Sequence, residues 1–271
     1  MDIKMDLHYT AAAQTDVGIS KDINQDSLTV KVANVGGKEV ALAIICDGMG
    51  GLEQGEVASA VVTKNYEQWF LRDFPVLIDQ KIPMEHLKDI WNNLAIDCNM
   101  RIFDYSSKRQ CTMGTTLTVM LMYEGKYYVT HVGDCRIYKM SQDIEQITTD
   151  QTYVAREVAL GHMTYEQALN DRRRNVLLQC IGTGRDITPD FETGDVNVGD
   201  TFLLCSDGFR HVITQKEIYE NCHNELIALE WVTQTRQINS KIMNKRLYEL
   251  IELNKQRLEK DNISAILIKV F

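Results

Sequence analysis

The sequence has no pair of histidines or cysteines at metal-binding spacing. None of its seven cysteines forms a Cys-x-x-Cys pair and no His-x-x-x-His occurs, which excludes the usual patterns of a zinc site. The cysteines, at 46, 98, 111, 135, 180, 205 and 222, are odd in number, and most lie in apolar segments. They read as small buried hydrophobes in a reducing compartment, not as a disulfide framework. No apolar run approaches the roughly 18 residues that a membrane span needs. Met1 to Asp6 lack the basic segment and apolar stretch of a secretory leader, so the expectation is a cytoplasmic protein. Positive charge is also short: 29 basic against 38 acidic residues leave a net charge of −9. That argues against a nucleic-acid binder. It leaves a phosphate substrate open, because bound metals reverse the local sign. Proline occurs only three times, and there is no low-complexity linker or internal repeat. The 271 residues are expected to form a single domain, 1–271.

What the chain does have is a set of apolar strands punctuated by aspartate. Leu7 to Val32 reads as strand, turn, strand. Val40 to Cys46 and Thr201 to Ser206 are continuous apolar runs of strand length, which predicts strands buried on both faces. Thr115 to Tyr123 and Lys126 to Val132, joined at Glu124-Gly125, predict a hairpin, with Arg136 to Met140 as a third strand of the same meander. Ile263 to Val270 predicts a closing strand.

Helical spacing recurs through Ala58, Val61, Val62, Asn65, Tyr66 and Trp69, and again from Leu87 through Trp91, Ala95 and Cys98 to Ile102. Thr148 to Asn175 is polar, with short helical stretches, a basic run at Arg172–Arg174 and a capping box at Thr164 and Gln167. Thr214 and Glu217 form a second box, and helix continues in pieces to about Lys260, with Ile242, Leu247, Leu250, Ile251 and Leu258 on one side. Hairpins outnumber β-α-β units. The expected class is therefore α+β, with antiparallel sheets covered by helices.

Five aspartates stand where strands begin or end. Asp47 ends Val40–Cys46 and is followed by Gly48-Met49-Gly50-Gly51; Asp207 ends Thr201–Ser206 and is followed by Gly208. Asp134 follows Val129–Gly133, while Asp26 and Asp261 precede strands. Each alone has a plain reading as a turn or cap residue. Held together at strand ends they would repel one another and require protons or hard cations. Asp26 could instead pair at the surface with Lys21, and Asp134 with Arg136 at a hairpin tip. Gly114-Thr115-Thr116 reads as strand packing, and His131 and His162 as structural histidines.

The ordered set Gly18-x-x-Lys21-x-x-Asn24-Gln25-Asp26, Asp47-Gly48-Met49-Gly50-Gly51, Gly114-Thr115-Thr116, Val132-Gly133-Asp134-Cys135-Arg136, Ser206-Asp207-Gly208 and Asp261-Asn262 resembles the metal-dependent protein serine/threonine phosphatases, the PPM or type 2C family, in its compact bacterial form. The resemblance runs from about residue 8 to residue 271. It implies a four-layer α/β/β/α sandwich, two central antiparallel sheets flanked by helices, with a centre of two Mn²⁺ or Mg²⁺ ions. In that picture Asp47 bridges the metals, Asp207 and Asp261 hold one of them, and the Gly48 carbonyl helps hold the other. Asp26 orients water at the metals, Lys21 binds phosphate oxygen, and Asp134 with Asp207 holds a weaker third metal. The stretch at about 148–175 would be the mobile flap beside the site.

Four positions depart from the family pattern. Lys21 stands where arginine is common, which gives charge without a bidentate fork. Gln25 replaces a frequent glutamate, and Met49 a histidine of many eukaryotic members. His211 lies four residues after Asp207, where some members place another metal-binding aspartate.

The implied reaction is hydrolysis of phosphoserine or phosphothreonine on proteins, by water rather than through a phosphoenzyme. The implied partners are phosphoproteins and a cognate Ser/Thr kinase, and the chain is expected to be a monomer. A phosphatase-like binding module without catalysis is one rival; the retained aspartates speak against it. Another two-metal hydrolase, such as a phosphodiesterase, is a second; it would usually supply histidine ligands.

Overall fold

The computed structural model describes residues 6–49, 54–224 and 236–271. Met1 to Met5, and Gly50 and Gly51 of the glycine-rich motif, lie outside them. Among the described residues, ten strands form two five-stranded sheets in which every pairing is antiparallel. One sheet has the order β1 (Tyr9–Asp16), β10 (Ile263–Val270), β9 (Thr201–Cys205), β6 (Arg136–Met140), β7 (Ile144–Gln146). The other runs β2 (Ser27–Val35), β3 (Lys38–Cys46), β4 (Leu117–Tyr123), β5 (Lys126–Val132), β8 (Asp190–Asp195).

Side-chain alternation explains why the central strands are apolar throughout. In β3, Val40, Leu42 and Ile44 face the helices α1 (Gly55–Asp79) and α2 (Leu87–Arg109), whereas Ala41, Ala43 and Ile45 face the other sheet. In β10, Ile266, Ile268 and Val270 meet them from the opposite side. Ile263, Ala265 and Leu267 pack outward under α7 (Arg236–Gln256), with Met243, Leu247, Leu250 and Ile251. Each such Val, Leu, Ile or Met side chain contributes about 1.5–3 kcal/mol when fully buried. The result is helix, sheet, sheet, helix, the sandwich that the resemblance implies.

The helices bury the faces that their spacing predicts. Ala58, Val62, Tyr66, Trp69 and Phe70 of α1 meet Trp91, Ala95 and Cys98 of α2, with Tyr66 donating to the Trp91 carbonyl at 2.9 Å. The two predicted capping boxes are formed, at Thr164 for α4 (Tyr165–Asn170) and at Thr214 for α6 (Gln215–Tyr219). Leu258 is a miss. It lies beyond the end of α7, takes φ +65° and is 69% exposed, because the helical period stops before it.

The hairpin at Glu124-Gly125 forms in the predicted register, Tyr123 opposite Lys126, with both turn residues at positive φ. The meander does not continue. Arg136–Met140 belongs to the other sheet, beside β9, so Gly133-Asp134-Cys135 crosses between the sheets and is no hairpin tip. Gly133 makes that crossing possible. It takes φ +113°, and a Cβ there would strike the Thr116 side chain. Its N–H donates to Gln151 Oε1 at 2.8 Å, which ties the crossing to the segment that carries α3 (Tyr153–Ala159) and α4.

Candidate metal centre

Asp47 is fixed through its backbone. Its N–H donates to Thr116 Oγ1 at 2.8 Å, and its carbonyl accepts from the Thr116 N–H at 2.8 Å and from Thr115 Oγ1 at 2.9 Å. Thr115 and Thr116 therefore orient the aspartate as well as pack the strand. The next residue must be glycine for steric reasons: a Cβ on Gly48 would run into the carbonyls of Gln25 and Gly55. The Gly48 N–H donates to the Gln25 carbonyl at 3.1 Å.

The other aspartates reach the same neighbourhood from both sheets. Asp26 precedes β2, its N–H donating to Asn24 Oδ1 at 3.1 Å. Asp207 opens the short helix α5 (Asp207–Arg210). Asp261 precedes β10, and its Oδ1 accepts from the Asn262 N–H at 2.9 Å. The Asn262 side chain pins the Lys21 loop, donating to the carbonyls of Val17 and Ile23 and accepting from the Gln25 N–H. Asp134 sits on the crossing between sheets.

Electrostatics shows that the five act on one another. Burial, then the charges of Asp26, Asp207, Asp134 and Asp261, push the Asp47 carboxyl well above the ordinary range. Burial pushes Asp26 up to about 7, and Asp207 and Asp261 add to the shift; the Ser264 and Ser206 hydroxyls lie near enough to offset part of it without coming within hydrogen-bonding geometry. Burial and Asp207 push Asp134 up to about 7 against the pull of Arg210. Both oxygens of Asp26 and Oδ1 of Asp207 are buried without a hydrogen-bond partner. Unpartnered buried carboxylate oxygens are costly and fit a hard cation, which prefers oxygen ligands. Among the described residues, no three acidic, histidine or cysteine side chains are drawn in tightly enough, as placed, to enclose an ion. The fit to divalent metal therefore rests on the shared charge and the orphaned oxygens.

Neither plain pairing predicted for these aspartates forms. Lys21 Nζ lies 3.2 Å from Asp261, not beside Asp26, and is 32% exposed at the rim. Asp134 is approached by Arg210, which donates to its carbonyl at 3.0 Å and lies 3.5 Å from its carboxylate. Arg136 turns instead to Asp150, with bonds of 2.8 and 2.7 Å. His211 lies between two acids, 3.3 Å from Asp207 Oδ2 and 3.4 Å from Glu259 Oε2. Asp150, Arg210 and Glu259 carry no local motif in the sequence, and their partners lie far along the chain.

A cleft of about 680 Å³ opens from Asp134, Arg210 and His211 towards Val154, Tyr165 and Leu169, within the stretch 148–175. Another concavity of about 500 Å³, against Tyr9, Glu39 and Val196, carries none of the five aspartates. Six of the seven cysteines are buried and all are free. Burial pushes Cys46 and Cys205 up to about 12, which leaves neither as a thiolate nucleophile. His131 is buried with Nδ1 2.9 Å from Thr118 Oγ1, and His162 is exposed beside Glu157; neither joins the aspartates.

The protein phosphatase 2C family model matches residues 18–252. Among curated relatives, the protein phosphatase PhpP of Streptococcus pneumoniae is 31% identical over 206 residues, covering 75% of this chain and 80% of that one. Among solved structures, the serine/threonine phosphatase Stp1 from Staphylococcus aureus superposes with a TM-score of 0.77 at 28% identity, covering 96% of this chain and 94% of that chain. The catalytic domain of the serine/threonine protein phosphatase PstP, in complex with two manganese ions, gives 0.74 at 26% identity, covering 97% and 99%. Sandwich and likeness agree: this chain belongs to the protein phosphatase 2C family, whose members depend on metal, and is a protein serine/threonine phosphatase.

Proposed function

We propose that the chain hydrolyses phosphoserine and phosphothreonine on proteins at a centre of two Mn²⁺ or Mg²⁺ ions. Asp47 would bridge the pair, Asp207 and Asp261 would hold one ion, and the Gly48 carbonyl would serve the other. The observation that carries this reading is the mutual repulsion of the buried Asp26 and Asp47 carboxyls with their acidic neighbours, with oxygens of Asp26 and Asp207 left unpartnered inside the fold. The two manganese ions bound by the PstP domain support the count. When bound, two such cations lower the pKa of water towards neutrality and polarise a phosphoryl group.

The chain's own residues would supply the rest. Asp26 has two unpartnered oxygens with which to orient the attacking water. Lys21, at the rim and paired with Asp261 among the described residues, offers its ammonium to a phosphoryl oxygen. Met49 cannot donate a proton, so the leaving oxygen would be protonated by water. Burial holds the Cys46 and Cys205 thiols protonated, which speaks against a cysteinyl-phosphate intermediate at either and for direct attack by water. The stretch 148–175 would act as the flap that lines the substrate cleft. Phosphorylated proteins are the substrate class, and a Ser/Thr kinase with a phosphorylated activation loop is the proposed partner. Among the described residues no helix is long and apolar enough to cross a membrane; a cytoplasmic monomer is proposed.

The test is phosphate release from a phosphothreonine peptide in Mn²⁺, with and without chelator. Asp47→Asn should lower turnover by more than about a hundredfold, because it removes the shared ligand. Equal turnover in both proteins, or turnover that survives chelation, contradicts the proposal. Preference for a diester would transfer the site to another reaction. Loss of phosphate from a kinase activation loop in a mixed assay tests the partner.

A further inference from the structure

Resemblance to the family implied a weaker third metal between Asp134 and Asp207. The structure places two basic side chains there. Arg210 Nη2 donates to the Asp134 carbonyl at 3.0 Å and stands 3.5 Å from the Asp134 carboxylate. It cannot swing away cheaply. It is 12% exposed, and its other acidic neighbour, Asp150 at 3.6 Å, is gripped by Arg136 through two bonds. Asp134, Asp150, Arg136 and Arg210 thus form a cluster in which two permanent cations face two acids. On the other side, Oδ2 of Asp207 lies 3.3 Å from His211 Nε2, while the second ring nitrogen faces Glu259. Glu259 is itself held by the N–H groups of Lys260 and Asp261. Asp207 keeps only Oδ1 without a partner.

We infer that Arg210 and His211 take the place of a third divalent cation, so that this phosphatase binds two ions and not three. The inference rests on the two-metal reading above. Its physical basis is competition for the same oxygens. A hard cation needs several anionic oxygens at once, and here the Asp134 carboxylate is balanced by a buried guanidinium while one oxygen of Asp207 is covered by the imidazole. A further divalent ion beside Arg210 would be repelled, and burial leaves that repulsion weakly screened. Fixed side chains thereby neutralise this corner at any metal concentration.

The experiment counts bound Mn²⁺ by titration calorimetry and by the electron paramagnetic resonance of free Mn²⁺, on the wild type and on Arg210→Gln/His211→Asp. The expected result is two ions in the wild type and three in the double variant. Three in the wild type would overturn the inference and leave the two-metal reading standing. So would two in a double variant whose circular dichroism shows it folded. No bound Mn²⁺ in the wild type would remove both readings together. Should the double variant fail to fold, the wild-type count decides alone: two supports the inference and three overturns it.

Discussion

At the scale of the residue, buried carboxyls decide how the protein responds to pH and metal. Burial pushes Asp26 and Asp134 up to about 7, with the Asp207 charge adding to both. A carboxyl whose pKa is raised by folding binds more protons folded than unfolded. Its contribution to stability is full below the ordinary carboxylate range and is lost as pH rises through the folded value. The buried histidines His131 and His223 are pushed down and tilt stability the other way, so the informative quantity is a difference. Without divalent cation, Asp26→Asn should gain in Tm over the wild type as pH rises from about 5 to 8, and Mn²⁺ should shrink that gain. A gap that narrows with pH in the chelated protein, by differential scanning fluorimetry, would show that Asp26 is not held protonated. Thr116→Val tests the support of Asp47. Losing the acceptor for the Asp47 N–H should cost about 1–3 kcal/mol in urea unfolding and lower turnover through misplacement of the carboxylate. Unchanged kcat in a destabilised variant would make Thr116 a packing residue only.

At the scale of the element, what was legible in the sequence was whatever local chemistry determines. The capping boxes at Thr164 and Thr214 and the Glu124-Gly125 turn involve residues within four positions of one another, and all three form. Thr214→Ala should cost about 1 kcal/mol, and denaturation midpoints that match the wild type would count against the cap. The strands β7 and β8 were not legible. They are short, polar and partly exposed, so their alternation carries no apolar signal. Nor did the apolar pattern say which sheet β6 joins, because a buried strand looks alike in either. The crossing is set by Gly133 and by the Arg136–Asp150 pair, joined over fourteen residues. Asp150→Ala would leave the Arg136 guanidinium, at 15% exposed, without a carboxylate and Arg210, at 12%, with Asp134 alone. The expected loss is about 3–5 kcal/mol, and a loss below about 1 kcal/mol would indicate that solvent screens the pair.

At the scale of the whole molecule, the two sheets bring strand ends that lie up to 235 residues apart in sequence, from Asp26 to Asp261, into mutual electrostatic reach. The five aspartates were readable as a set because each borders a buried strand or its turn. The basic residues among them were not, since Arg210 finds Asp134 across 76 positions. Binding of cation to the folded chain alone should stabilise it by about 2.7 kcal/mol at a hundredfold excess over Kd. That gain should vanish with chelator and in Asp47→Asn, as read by Tm. The most direct measurement is the anomalous difference map of a crystal grown with Mn²⁺. The account predicts two peaks, both against Asp47, one of them shared with Asp207 and Asp261 and the other with the Gly48 carbonyl. A map with Asp47, Asp207 and Asp261 turned apart and no ion among them would contradict it.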